Sequence, residues 1–138
     1  MKLSAQEVRL GNYHFYHIVD KLDERGEYDE VCQIDAEDFR ILENFDCPEY
    51  KPIPLTEEWL LKFGFEKFIG NNILWGLADF CVGWYGNKFA TWIIRMQQEN
   101  NEMNFHSQIK YVHQLQNLYF ALTGEELIVS SNRNNTNK

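Results

Sequence analysis

Over the first third of the chain apolar residues come in short runs parted by turn-forming residues. They then recur every three or four positions, next in two longer blocks, and finally every three or four again. The first regime predicts strands. Val8 to Tyr13 is an expected short strand broken at Gly11-Asn12, Phe15 to Val19 continues it, and Asp23-Glu-Arg-Gly26 turns the chain into a strand from Glu30 to Ile34. Phe39 to Leu42 fits either a further strand or a helical turn. Together these pieces predict a small SH3-like β unit.

A short, fully punctuated helix is expected over 56–63. Pro52 and Pro54 keep the approach extended, Thr56 can cap the first turn with its hydroxyl, and Glu57 and Glu58 face the positive end of the helix dipole. Leu55 and Leu60 have the spacing of a hydrophobic staple. Gly64 can take the left-handed conformation that closes a helix while Phe65 folds back on Leu60, so the helix should end at Phe63. Trp59, Leu60 and Phe63 share a face and read as core.

Residues 65–96 predict an antiparallel meander. Its clearest part is a hairpin of Ala78 to Tyr85 and Lys88 to Met96 around Gly86-Asn87. Setting Tyr85 opposite Lys88 pairs Trp84 with Phe89, Val82 with Thr91 and Phe80 with Ile93 on one side. The other side pairs Gly83 with Ala90, Cys81 with Trp92 and Asp79 with Ile94. Both sides are apolar, which predicts a central hairpin covered on both faces.

A C-terminal amphipathic helix is expected over 107–123, with apolar residues at Ile109, Val112, Leu115, Leu118, Tyr119 and Leu122 and a stop at Gly124. Its other side carries Lys110, Gln114, Asn117 and Ala121, with His113 and Gln116 on the flanks, and is expected to be a wet, nearly uncharged face. The architecture is therefore α+β. One domain is expected over 1–129, and the tail 130–138, lacking apolar residues to bury, is expected to be disordered.

The stretches RLGNY (9–13), YKPIPLTEEWLLKFGFEK (50–67) and IKYVHQLQNLYFALTGEEL (109–127) resemble a family of uncharacterised proteins common in phages and mobile elements of Bacteroides-type gut bacteria. The resemblance implies an origin and a fold. It carries no catalytic residue onto this chain, and residues 68–105 depart from it.

Net charge changes the picture. Of the −8 total, residues 1–58 hold fifteen acidic against six basic residues, and residues 59–138 six against seven. An excess of acid between Asp20 and Glu49 argues against binding the phosphate backbone of nucleic acid. It leaves a basic protein partner, mimicry of nucleic acid, or a solvated acidic surface. Cys32, Cys47 and Cys81 are odd in number and form no C-x-x-C pair, so reduced thiols in a bacterial cytoplasm are expected. With no basic-then-apolar leader and no long apolar run, neither export nor a membrane partner is expected.

Candidate chemistry is sparse. Ser4, Ser107, Ser130 and Ser131 lie in no G-x-S-x-G, phosphate-binding glycine motifs are missing, and no cofactor or metal is implied. The foremost expectation is a non-catalytic phage or mobile-element accessory protein that binds a host or phage protein through its acidic half. A second is a small-molecule binder that sequesters a nucleotide immune signal, with Trp75, Trp92 and Tyr111 as stacking surfaces and Arg95 and Lys88 as phosphate partners. Asp79 and Arg95 are a further candidate charge pair. A third is an enzyme with an unfamiliar site, for which Cys81 with His113 is the pairing to weigh.

Overall fold

A computed structural model describes residues 2–69, 73–77, 80–85, 88–95, 102–103 and 107–129. In chain order they form β1 (Tyr13–Val19), β2 (Glu27–Gln33), α1 (Ala36–Asn44), β3 (Tyr50–Lys51), α2 (Glu57–Lys62), β4 (Glu66–Ile69), β5 (Ile73–Leu77), β6 (Phe80–Tyr85), β7 (Lys88–Arg95), β8 (Glu102–Met103), β9 (Ser107–Ile109) and α3 (Val112–Thr123). The architecture is α+β, and the chain divides into two compact units. Unit 1 is Met1–Pro54 with Tyr111–Leu122, and unit 2 is Leu55–Lys110 with Thr123–Lys138.

In unit 1 the strands are ordered β2-β1-β3, all antiparallel. Side chains alternate across this sheet. One face carries His14, Tyr16 and Tyr50 toward a core of Leu3, Val8, Ile34 and Leu42, against which Phe39 and Ile41 of α1 also pack. Unit 1 is thus three antiparallel strands with α1 and most of α3.

One local expectation for unit 1 changes. Val8 to Asn12 is not a strand: Asn12 is fully buried and its Oδ1 accepts from the Arg9 N–H at 2.7 Å, closing a turn that Gly11 completes at φ +87°. Of the two alternatives for Phe39 to Leu42, the helical one is found. The start of α1 is fixed by reciprocal bonds between Asp35 and Asp38, the Asp38 N–H to Asp35 Oδ1 at 2.8 Å and the Asp35 N–H to Asp38 Oδ2 at 3.0 Å. The spacing D-x-x-D was the overlooked signal.

In unit 2, α2 forms as its sequence dictates. Thr56 Oγ1 accepts from the Trp59 N–H at 3.4 Å. At the other end the Phe65 N–H reaches Leu60 O and the Gly64 N–H reaches Leu61 O, each at 3.0 Å, with Gly64 at φ +95°. Gly64→Ala is expected to cost about 1 kcal/mol, because a Cβ is strained in that left-handed conformation. All four tryptophans lie in unit 2, so their fluorescence during urea unfolding reads the loss. An unchanged midpoint would mean the helix end tolerates another conformation.

The larger sheet runs β4-β5-β6-β7-β8, with β9 also on β7, and it contains the expected meander. The β6–β7 register is the one counted from the sequence, from Tyr85↔Lys88 to Phe80↔Ile93. Gly86, Asn87, Ala78, Asp79 and Met96 lie outside the described residues. Phe80, Val82 and Phe89 are buried, Phe65 meets Phe80 at 6.3 Å, and Trp75 meets Phe89 edge-on at 5.5 Å.

The last helix starts later than Ser107. Residues Ser107–Ile109 form β9, with Ile109 opposite Phe89, and α3 begins at Val112. Gln114 Oε1 accepts from the Tyr111 N–H at 3.1 Å and the Val112 N–H donates to Ile53 O at 2.8 Å, so the first turn is satisfied there. Burial of Ile109 through strand pairing outweighs its helical spacing. Gly124, at φ +76°, follows the last turn.

Candidate functional site

Part of the amide-rich side of α3 is turned inward: Gln114 and Asn117 are half-buried and Ala121 exposed, but the flanking His113 and Gln116 are buried. Gln116 is 1% exposed: its Oε1 accepts from the Tyr13 N–H at 2.8 Å and its Nε2 donates to Gly11 O at 3.3 Å. Asn117 Oδ1 accepts from Arg9 Nε at 3.0 Å and Asn12 Nδ2 at 2.9 Å, while its Nδ2 donates to Glu7 O at 3.0 Å. The Arg9 guanidinium lies 4.3 Å from the Phe120 ring centroid. Residues 7–13 have turns rather than a ladder to absorb their backbone groups, and two neutral amides of α3 take them up without burying a charge. RLGNY and IKYVHQLQNLY thus meet in space. This network corrects the expectation of a wet helix face.

Two histidines sit in the same interior. His113 is 1% exposed, with Nε2 3.4 Å from Glu7 Oε1, and burial depresses its pKa to about 4. The ring is therefore neutral at neutral pH, donating from Nε2 and leaving Nδ1 as a buried lone pair with no hydrogen-bond partner. Burial also raises the Glu7 carboxyl, against opposing hydrogen bonds from Ser4. His14 stacks on Tyr50 at 5.1 Å, and burial depresses it, with smaller opposing contributions from the Phe15 carbonyl, Asp38 and Asp35. The Tyr50 hydroxyl donates to Asp38 Oδ1 at 2.7 Å, and burial first and then this carboxylate raise its pKa. His14, His113 and Tyr50 are buried, while the Glu7 side chain is partly exposed.

The outer face of the unit 1 sheet is the opposite case. His17 on β1 has Nδ1 2.8 Å from Asp29 Oδ1 and Nε2 3.3 Å from Glu27 Oε1, while Lys51 Nζ stands 3.6 Å from Asp29. Asp29 first, then Glu27, raise the His17 pKa, and His17 in turn lowers that of Asp29. Val31 and Val19 are exposed on this face, at 46% and 61%. Residues 20–33 carry six acidic against two basic side chains.

Elsewhere in the acidic half several charges are committed locally, while Glu24, Glu43 and Glu49 are exposed. Asp35 and Asp38 cap α1, Asp20 and Asp23 accept backbone N–H bonds in the turn before β2, Glu37 pairs with Arg40, and Asp46 pairs with Lys2. Glu27, Asp29 and Glu30 are exposed on an ordered strand.

The residues proposed from sequence for ligand stacking are distributed otherwise. Trp75 is a core residue of unit 2, 3% exposed, its ring edge-on to Phe89 with Lys67 Nζ 5.9 Å away. Tyr111 and His113 belong to unit 1 and stack on each other at 5.8 Å. Trp92, Arg95 and Lys88 have their backbone in β7, but their side chains lie outside the described residues, as does Asp79. Cys81 is in β6 of unit 2, half-buried and in no disulfide, and His113 is in α3 of unit 1.

Among the described residues no three His, Cys, Asp or Glu side chains gather as a metal site requires, and no helix is long and apolar enough to cross a membrane. Comparison with protein-family models, with curated proteins and with solved structures gave no match.

Proposed function

We propose that this chain is a non-catalytic binding protein, an accessory factor of a phage or mobile element, that engages a basic protein of host or phage through its acidic half. The observation that carries the reading is the display of Glu27, Asp29 and Glu30 on β2, exposed and held in fixed register, with Glu27 and Asp29 anchored by His17, and Asp29 also by Lys51, and their negative charge in excess of these partners. Such a surface attracts a basic partner at long range and repels nucleic acid. The burial of His14 and His113 favours a packing role for these two rings.

A fluorescent lysine-rich peptide titrated with the protein tests this. Binding is expected to weaken as salt rises, and the variant Glu27→Gln/Asp29→Asn/Glu30→Gln is expected to lose roughly tenfold in affinity, as three partly exposed charge contacts would give. Equal affinity for the variant would contradict the assignment.

A further inference from the structure

We infer that β2 takes up an extended basic segment of the partner as an added strand, an inference that rests on the protein-binding reading above and specifies its mode. Among the described strands β2 is bonded to β1 alone, which puts its other side at the edge of the sheet. The bonding alternation can be followed along it. The Asp20 N–H donates to Gly26 O, the Ile34 N–H to Asn12 O and the Gly11 N–H to Ile34 O, so Gly26 and Ile34 turn their backbone groups toward the β1 side. With the β1–β2 register continuous from Tyr13↔Gln33 to Val19↔Glu27, Tyr28, Glu30 and Cys32 do the same. The His17 N–H agrees, pointing away from β2 to Glu49 O at 2.9 Å. The N–H and C=O groups of Asp29, Val31 and Gln33 therefore point outward along the open edge.

Side chains beside that edge select what can add to it. Asp29 and Val31 share the outer face, and Glu30 projects from the other. An added strand running past them would meet an acid, an acid on the opposite face, and an exposed valine. A segment offering lysine or arginine on both faces and an apolar residue beside Val31 fits, since opposite charges and apolar pairs across strands are favourable. A second copy of this chain fits poorly. A two-fold pairing of β2 with itself is antiparallel and lays the acidic stretch of one copy along that of the other, Asp29 against Asp29 where the axis passes there, and like charges on an edge keep copies apart.

The test is amide exchange by NMR on the full chain, with and without a peptide of repeated Lys-Lys-Val, which as a strand carries lysine on both faces and valine beside it. Without peptide, the amides of Tyr28, Glu30 and Cys32 are expected to be protected and those of Asp29, Val31 and Gln33 to exchange rapidly. The peptide is expected to protect the second set. Its counterpart N-methylated at alternate backbone nitrogens is expected to bind at least about tenfold more weakly, having lost the ladder donors. Val31→Pro should weaken binding similarly while leaving the β1 ladder intact, because that N–H does not serve it.

If both peptides bind equally and the outward amides stay unprotected, strand addition is overturned while acidic-surface binding stands. If neither peptide binds, both fall. Protection of the outward amides without peptide, together with a dimer mass, would overturn the inference in favour of a second copy.

Discussion

Replacing Gln116 by leucine is expected to destabilise unit 1 by about 3 kcal/mol, although the substitution puts an apolar residue into a core. The side chain is 1% exposed and serves two backbone groups about a hundred residues away in the chain, the Tyr13 N–H at 2.8 Å and Gly11 O at 3.3 Å. Leucine fills similar space but takes this acceptor from the buried Tyr13 N–H, at about 1–3 kcal/mol, and removes one of two donors to Gly11 O, which Gln33 Nε2 still reaches at 3.1 Å, for about 1 kcal/mol more. Against a typical total of about 5–15 kcal/mol, that is a large fraction. Unit 1 contains no tryptophan, so the loss is read by far-UV circular dichroism or tyrosine signals during urea unfolding. The midpoint should fall with little change in slope. A loss of a few tenths of a kcal/mol would show that the turn at 9–13 finds its bonds elsewhere.

Acid should weaken the same unit through His113. Its folded pKa is about 4, depressed by burial, against roughly 6.5 for an unfolded chain. Below pH 6.5 the unfolded chain takes up a proton that the folded ring refuses until about pH 4, so stability is lost as pH falls through that window. The difference corresponds to about 3 kcal/mol. His14, also depressed by burial, acts in the same direction. Glu7, whose carboxyl is raised, acts oppositely and trims the loss, since a protonated carboxyl is favoured in the folded state. Urea midpoints at neutral and acidic pH check this: the native chain should lose about 3 kcal/mol more on acidification than His113→Gln. Parallel pH profiles for the two would place the titrating group elsewhere.

These two residues also show where sequence reading stopped. The face of α3 that carries Gln116 and Asn117 has the polarity of a wetted surface, and nothing in the helical period says that a turn at 7–13 will fold onto it. That information resides in contacts across some hundred residues. Helix α2 is different, because each of its boundary residues acts within a few positions, and the β6–β7 register needs only a turn and a count. Starts that depend on reciprocal side-chain bonds fell between. Asp35 with Asp38 and Gln114 with Tyr111 have legible spacings, but their weight shows only once Leu42 is buried and Ile109 is drawn into β9. The candidate binding strand was visible as an acidic stretch from its composition. Its standing at a sheet edge is a matter of topology, set by which strand β1 takes on its other side.

Native mass spectrometry of the chain with and without the Lys-Lys-Val peptide separates protein binding from ligand sequestration. The account predicts the bare chain alone, and a one-to-one complex on adding the peptide that the Glu27→Gln/Asp29→Asn/Glu30→Gln variant fails to form. A small molecule that accompanies the purified chain under gentle conditions and leaves on denaturation, with no peptide complex, would contradict it and point to ligand sequestration.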